Sequence, residues 1–235
     1  MNTCLPIFLI IRNALIYIKG NLGLMVGFFA FSFLGIFSSV YFRIEGNVWL
    51  IPLYIVYTYL FFYAFACVFF KTKPYFDRAR FFKAAGRMAI ILILAFAVIV
   101  FLNIGVKFLK FLAYPLQVYP DIYLPARKVY HFIRESVFVQ RAIIFSISTF
   151  IFFIPAFAWV SSIVGREDSI TAAFFRTKRH YARLFILFLI VFGLLPLLSF
   201  WMLNTSMLLA ITISAALTVF QAALYFKTYE VFYRY

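Results

Sequence analysis

The sequence predicts an all-α integral membrane protein with six transmembrane helices and short amphipathic helices at the membrane surface. Hydrophobic residues make up 66% of the chain and charged residues only 12%, whereas soluble proteins carry roughly 25% charged residues. The mean hydropathy of +1.02 agrees with this contrast. Six uncharged runs also reach the ~20 residues that an α-helix needs to cross a bilayer core.

We therefore interpret residues 1–235 as one polytopic membrane domain. The predicted spans are residues 22–42, 48–70, 88–106, 142–164, 184–203 and 207–226. Amphipathic interfacial helices are predicted before spans 1, 3, 4 and 5, at residues 6–20, 74–87, 126–140 and 168–183. The last of these has the clearest helical spacing, with apolar side chains from Ile170 to Tyr181 and basic ones opposite them. Asp168 or Ser169 could cap it.

Three features inside the spans predict how the helices pack. Span 1 contains small residues that allow close helix approach, namely Gly23, Gly27, Ala30 and Gly35. Pro155 predicts a kink in span 4 whose freed carbonyl groups neighbouring helices could satisfy. Span 2 contains three tyrosines whose hydroxyl groups need partners, Tyr57, Tyr59 and Tyr63. Hydrogen bonds to neighbouring helices and a polar substrate path are both open interpretations of these tyrosines.

The basic residues predict how the chain sits in the membrane. The formal net charge is +15, but the cations lie at the ends of apolar spans rather than on a soluble face that could read nucleic acid. With six spans, 15 Lys and Arg residues fall on the side of both termini and 7 on the other. The positive-inside rule then places both termini in the cytoplasm, in the cytoplasmic (inner) membrane.

The sequence contains no motif that indicates an enzyme, so we expect none, and no cofactor or metal either. The spans contain no acidic residue, and neither HExxH nor GxxxxGK[ST] occurs. The two histidines, His131 and His180, fall on opposite sides of the membrane in this topology, and surface positions explain both. The two cysteines, Cys4 and Cys67, have no disulfide or metal-binding spacing.

The candidate functional residues are therefore binding residues. Six basic side chains on the predicted interfacial helices are candidates for binding a partner or lipid, namely Arg80, Lys83, Arg87, Arg176, Arg179 and Arg183. Asn103 and Gln221 are candidate intramembrane polar contacts, since buried amides usually form interhelical hydrogen bonds. No ionisable group lies in mid-membrane, which argues against a self-sufficient ion-coupled transporter.

A short pattern also suggests internal duplication. Phe65-Ala66 followed by Phe81-Phe82-Lys83 matches Phe157-Ala158 followed by Phe174-Phe175-Arg176, with offsets of 16 and 17 residues. Transport folds often contain repeats, although 35 phenylalanines make coincidence an equally good explanation.

Three segments carry a resemblance to a known family. KGNLGLMVGFFAFSF, KPYFDRARFFKAAGRMAIILILAF and REDSITAAFFRTKRHYARLFILFLIVF resemble YesL-like small bacterial multi-pass membrane proteins, and are similar to other uncharacterised six-span families. The resemblance covers about half of the chain and implies a fold in which a basic helix precedes each span, often in association with sugar uptake. It implies no catalytic residue.

Two functions follow from these observations. The first is a non-enzymatic, transport-associated membrane subunit or accessory protein. Its basic interfacial helices would dock a cytoplasmic partner, such as an ATPase subunit, or the anionic headgroups of membrane lipids. The second is a structural or regulatory membrane factor with no transported substrate. Nucleic acid is not an expected partner of either.

Overall fold

The computed structural model of the chain describes residues 6–42, 50–72, 77–113, 149–166, 168–196 and 206–233. Every regular element within these ranges is helical, which confirms the predicted all-α class. The predicted interfacial helix at residues 126–140 lies outside the described residues, as do the first part of span 4 and the last part of span 5.

Eight α-helices follow one another along the described chain. They are α1 (Ile7–Gly20), α2 (Leu22–Tyr41), α3 (Ile51–Phe69), α4 (Arg78–Ala113), α5 (Ala156–Val164), α6 (Ile170–Thr177), α7 (Tyr181–Phe188) and α8 (Met207–Tyr233). A π-helical segment, Thr149–Phe153, precedes α5, a 3₁₀ turn, Lys178–His180, joins α6 to α7, and a second π-helical segment, Leu189–Leu194, follows α7.

Four segments are long and apolar enough to cross a membrane. They are Leu22–Tyr41, Ile51–Phe69, Arg78–Val98 and Met207–Tyr233, which correspond to predicted spans 1, 2, 3 and 6. The shorter apolar helix Ile151–Val164 falls within predicted span 4. The count of six spans stays a prediction, because spans 4 and 5 extend beyond the described residues.

The predicted interfacial helix at 74–87 and predicted span 3 are joined within one helix. One continuous helix, α4, runs for 36 residues from Arg78 to Ala113. Its N-cap is Asp77, whose Oδ1 accepts a hydrogen bond of 2.9 Å from the Ala79 N–H. No proline interrupts the segment, and a helix of this length spans about 54 Å at 1.5 Å per residue. Because a hydrocarbon core is about 30 Å thick, α4 is longer than a membrane crossing requires.

The predicted helix at 168–183 is also divided differently. It consists of α6, the 3₁₀ turn and the start of α7, so that it continues into predicted span 5. Of the two predicted caps, Ser169 is the one used, since its hydroxyl accepts a hydrogen bond of 3.1 Å from the Ala172 N–H.

The two prolines inside predicted spans 4 and 5 coincide with the π-helical segments. Pro155 directly precedes α5, and Pro196 lies two residues beyond the second segment. The Leu195 N–H bonds to the carbonyl of Ile190, five residues back. Pro196 has no N–H, so the next carbonyl, that of Val191, lacks the equivalent donor.

The core lies where α3, α5, α7 and α8 meet. Its largest fully buried side chains include Phe65, Phe157, Phe188 and Phe226, each 0% exposed. Large apolar side chains on α2, α3 and α4 point outward instead, among them Leu53, which is 67% exposed, and Ile93, 66% exposed. An outward-facing apolar surface of this kind is what a lipid-facing helix requires.

Not all of the small residues of α2 allow the close helix approach that the sequence predicts for them. A Cβ added to Gly23 or Gly27 would meet no atom within 4 Å, and Ala30 is exposed. Gly35 is buried, and a Cβ there would overlap the ring of Tyr57, with Cζ at 2.6 Å. Of these four residues of α2, Gly35 is therefore the one that permits a close helix approach, because α3 contacts α2 at that level.

Four segments predicted to share one side of the membrane contact one another at one end of the bundle. The ring of Tyr17 on α1 lies 4.4 Å from that of Phe69 at the end of α3. The ammonium of Lys227 on α8 lies 5.4 Å from the centre of the Tyr17 ring. The start of α4 and the start of α6 meet at the same end, where Arg87 donates a hydrogen bond to the carbonyl of Asp168. We call this region the basic end.

Candidate functional site

The basic end is held together by a network of five side chains, which we call the polar hub: Arg87, Ser161, Asp168, Arg176 and Tyr229. They come from α4, α5, the turn before α6, α6 itself and α8. The side chain of Asp168 is 15% exposed and that of Arg176 39%. The hub therefore joins four helices that are distant in sequence.

Asp168 is the acceptor at the centre of the hub. Its Oδ1 accepts a hydrogen bond of 2.8 Å from Arg176 Nη2, and its Oδ2 accepts one of 3.3 Å from the Ser161 hydroxyl. The Tyr229 hydroxyl lies 3.0 Å from Ser161 Oγ. Because the single Ser161 proton is directed to Asp168, Tyr229 is the donor in that contact. Tyr229 thus donates a hydrogen bond to Ser161, and Ser161 donates one to Asp168. The negative charge of Asp168 strengthens this hydrogen-bond network.

A tight turn brings Asp168 back over the end of α5. Gly165 has φ of +82°, a left-handed conformation that glycine adopts without steric cost. The Arg166 N–H bonds to the Ser161 carbonyl at 2.7 Å and the Gly165 N–H to the Ser162 carbonyl at 3.3 Å. These two bonds form a Schellman motif. The turn reverses the chain so that Asp168 lies beside Ser161, seven residues earlier.

Arg87 fixes α4 to this turn. Its Nη1 donates hydrogen bonds to the carbonyl of Ala158 at 3.0 Å and to that of Asp168 at 2.9 Å. The first carbonyl belongs to α5 and the second precedes α6, so one guanidinium group joins three helices. Arg87 is half-buried and has a structural position rather than the exposed partner-binding position predicted for it.

Arg176 also makes structural contacts. Besides its ion pair with Asp168, its guanidinium group lies 4.5 Å from the centre of the Tyr233 ring, a distance at which a cation and an aromatic face attract each other. Tyr233 is stacked on Tyr229 with ring centres 4.1 Å apart. Arg176 therefore ties α6 to the end of α8.

The other four predicted basic residues are placed differently from one another. Arg80 forms an ion pair of 3.3 Å with Asp77. Lys83 and Arg179 are exposed, whereas Arg183 is half-buried. His180, predicted as an exposed member of the basic face, is half-buried, with its ring 5.7 Å from that of Phe232.

Gln221 forms the interhelical contact predicted for it. Its Nε2 donates a hydrogen bond of 2.8 Å to the carbonyl of Val191, the group that lacks a helical donor because of Pro196. One turn further along α8, the Tyr225 hydroxyl donates a 2.7 Å bond to the carbonyl of Phe153, at the end of the other π-helical segment. Side chains of α8 thus donate hydrogen bonds to backbone carbonyls of both π-helical segments. Membrane helices that proline interrupts need such donors from neighbouring helices. The Asn103 side chain lies outside the described residues.

Two of the three tyrosines in α3 have backbone partners. The Tyr57 hydroxyl donates to the carbonyl of Phe31 on α2, and the Tyr59 hydroxyl donates to that of Phe81 on α4 at 3.3 Å. The third ring, that of Tyr63, lies 5.0 Å from that of Phe81. These contacts favour hydrogen bonding between helices over a polar substrate path.

A cleft of about 970 Å³ opens at the basic end, which we call the end cleft. Its walls come from the junction of α1 and α2 and from the ends of α3, α5 and α8. Four charged side chains line it, namely Lys71, Arg166, Lys227 and Glu230. The apolar part of its wall includes Leu24, Val68, Phe69, Phe70 and Val164.

Lys227 and Glu230 form an ion pair of 2.8 Å in this cleft, with side chains 20% and 17% exposed. Arg166 donates one hydrogen bond to the carbonyl of Tyr233. Burial, and secondarily the charge of Glu230, raises the pKa of Tyr17 to about 12. Tyr17 thus stays protonated and uncharged on the cleft wall at neutral pH.

The hub and the end cleft are what sequence reasoning missed. Neither Ser161 nor Tyr229 nor Arg166 carries a motif. The one usable signal was the acid three residues after Gly165, since a carboxylate beside a helix-ending glycine is well placed to accept hydrogen bonds. No group of three or more His, Cys, Asp and Glu side chains that could hold a metal occurs within the described residues.

Comparison with known proteins finds no matching family model, no similar curated protein and no similar solved structure. The resemblance to YesL-like proteins therefore stays a prediction.

Proposed function

We propose that the chain is a non-enzymatic multi-pass membrane protein that acts as a transport-associated subunit or accessory protein. It docks a cytoplasmic partner, such as an ATPase subunit, or anionic lipid through its basic end. Four helices long and apolar enough to cross a membrane support the membrane part of this proposal. The charge of the basic end supports the docking part.

One observation carries the docking proposal. Each acidic side chain within the described residues is already in an ion pair, Asp77 with Arg80, Asp168 with Arg176 and Glu230 with Lys227. Further basic side chains on α4 and on the 3₁₀ turn after α6 are exposed, including Arg78, Lys178 and Arg179. The surface therefore keeps a positive charge, worth about 1 kcal/mol per Lys or Arg beside an anionic lipid surface.

The hub gives this surface a fixed shape. Because Arg87 and Arg176 join α4, α5, α6 and α8, the exposed cations on α4 and α6 keep constant relative positions. A surface that is ordered before binding loses less conformational entropy when a partner docks. All six predicted binding residues stay candidates for contact with a partner or lipid, and Arg87 and Arg176 also support the surface through the hub.

Co-purification with charge reversal tests this function. The tagged chain is cross-linked in native membranes and purified in mild detergent, alone and as Arg78→Glu with Arg179→Glu. Arg12→Glu with Lys19→Glu is the matched control, because it reverses two exposed cations on α1. We expect a stoichiometric cytoplasmic protein with the unaltered chain and the control, and its loss from the first variant. A chain that purifies alone, and whose deletion leaves solute uptake unchanged, contradicts the proposal.

A further inference from the structure

The end cleft has the chemistry of an anion site with an apolar wall. Among the described residues, its charged side chains are three cations and one acid, and the acid is paired with Lys227. Lys71 and Arg166 are exposed, and no described acid forms an ion pair with either of them. The cleft thus keeps a positive charge after its internal pair is formed.

Arg166 is the side chain best suited to bind an anion there. A guanidinium group has five N–H donors in a planar fork that matches phosphate oxygens. The hydrogen bond from Arg166 to the Tyr233 carbonyl uses one of its nitrogens. The turn that begins at Gly165 holds the Arg166 backbone in place through its bond to Ser161. The guanidinium group of Arg166 therefore extends from a backbone position that hydrogen bonds hold in place.

Lys71 contributes a second cation from the end of α3. It follows the end of α3 with φ of +51°, a conformation that non-glycine residues adopt only when the surroundings hold them in it. Lys227 adds a third cation, with its ammonium 4.8 Å from the centre of the Phe69 ring. Positive charge thus enters the cleft from the ends of α3, α5 and α8.

The size and the wall of the cleft exclude a bare small anion as its best ligand. Ligand sites usually enclose about 300–1,000 Å³, and this cleft lies at the upper end of that range. Leu24, Val68 and Phe70 would contact an apolar portion of the ligand. The cleft also lies at the ends of helices that are long enough to span a membrane, which is the level of lipid phosphates.

We propose that the end cleft binds the phosphate group of a phosphate ester, with Arg166 and Lys71 as its direct contacts and the apolar wall against the remainder of the ligand. An anionic phospholipid and a soluble phosphate ester are the two sources of this chemistry. The proposal rests on the membrane placement given under Proposed function, but it concerns a different set of side chains from the docking surface on α4 and α6.

Binding measured on the purified full chain in detergent tests it. The probes are phosphatidylglycerol, phosphatidylcholine and glycerol 3-phosphate, each titrated while thermal unfolding and lipid adducts in native mass spectra are followed. The cleft variant is Lys71→Gln with Arg166→Gln. The control is Arg12→Gln with Lys19→Gln on α1, which removes the same charge outside the cleft and outside the docking surface on α4 and α6.

We expect phosphatidylglycerol to bind the unaltered chain and the control alike, and at least tenfold more weakly to the cleft variant. Lys71→Gln alone, at an exposed position that keeps the fold, is expected to weaken binding severalfold. Equal binding of glycerol 3-phosphate would identify a soluble ester as the source, and preference for phosphatidylglycerol would identify the lipid. Equal affinity of the cleft variant and the unaltered chain, or no binding of either phosphate probe, overturns the proposal.

The two proposals fail separately in these experiments. If the unaltered chain purifies without a partner but binds phosphate in the cleft, only the docking function is contradicted. Retained partner with no phosphate binding contradicts the cleft assignment alone.

Discussion

The polar hub makes one strong prediction, that replacing the carboxylate of Asp168 by an amide destabilises the fold. The side chain accepts from both Arg176 and Ser161. In Asp168→Asn only one oxygen remains, so the amide nitrogen must face one of these two donors. A hydrogen bond to a charged group contributes about 1.5–3 kcal/mol. Because Arg176 is 39% exposed, solvent screening reduces the expected loss to about 1–2 kcal/mol.

The same chain offers a matched control in Asp77→Asn. Asp77 also pairs with an arginine that is 39% exposed, but Asp77 itself is 31% exposed whereas Asp168 is 15% exposed. Its second role is to cap α4, which asparagine performs equally well. We expect this substitution to cost less than about 0.5 kcal/mol, the usual range for an exposed pair.

The assay is unfolding by SDS titration from mixed micelles, followed by tryptophan fluorescence and far-UV circular dichroism. The difference between the two variants, rather than either absolute value, is the quantity of interest. If Asp168→Asn and Asp77→Asn lower the free energy of unfolding equally, the hub does not hold the basic end together, and the argument for a preorganised docking surface is wrong.

Three further predictions use the same measurement. Gly35→Ala is expected to lower the free energy of unfolding by about 1–3 kcal/mol, because the added Cβ overlaps the Tyr57 ring. Gly27→Ala, with open space around its added Cβ, is expected to be neutral or stabilising. Similar losses in the two variants would refute the close approach of α2 and α3. Gln221→Leu leaves a carbonyl without a donor and should cost about 0.6–1.7 kcal/mol, so an unchanged unfolding midpoint would contradict this contact. The pKa of Tyr17 is about 12 in the folded chain and near 10 in the unfolded chain, so the free energy of unfolding should fall as pH rises from 10 to 12. Tyr17→Phe should lessen that fall. An identical pH profile for the variant would show that Tyr17 does not contribute.

The spans that could be predicted from the sequence are those whose signal is local. A run of about 20 apolar residues indicates a transmembrane helix regardless of its neighbours, and four such helices are present at the expected places. The end of a surface helix was harder to predict. Arg87 and Met88 mark a change from charged to apolar residues, but nothing there stops the backbone, so α4 continues across the predicted boundary.

The candidate site could be predicted only as a set of basic residues at one end. Arg87 was assigned to an exposed face because helical spacing records which residues share a face, but not which neighbouring element covers that face. Its two acceptors, the carbonyls of Ala158 and Asp168, lie 71 and 81 residues away. Every residue has a backbone carbonyl, so the sequence does not indicate which carbonyl a side chain will bond to. Contacts of this kind are visible only in the folded chain. Gln221 was easier to predict, because an amide within a long apolar run requires a partner wherever that partner lies.

The central claim is that the docking surface on α4, α6 and the 3₁₀ turn after α6 faces the cytoplasm, on the same side of the membrane as α1. Accessibility of single cysteines tests it most directly, in a chain whose native Cys4 and Cys67 are replaced. Cysteines are introduced at three exposed basic positions, Lys19, Arg78 and Arg179, and treated with a membrane-impermeant maleimide. We predict labelling of all three in inside-out vesicles and of none in intact cells. Labelling of any one from the outside while another is labelled from the inside would contradict the claim.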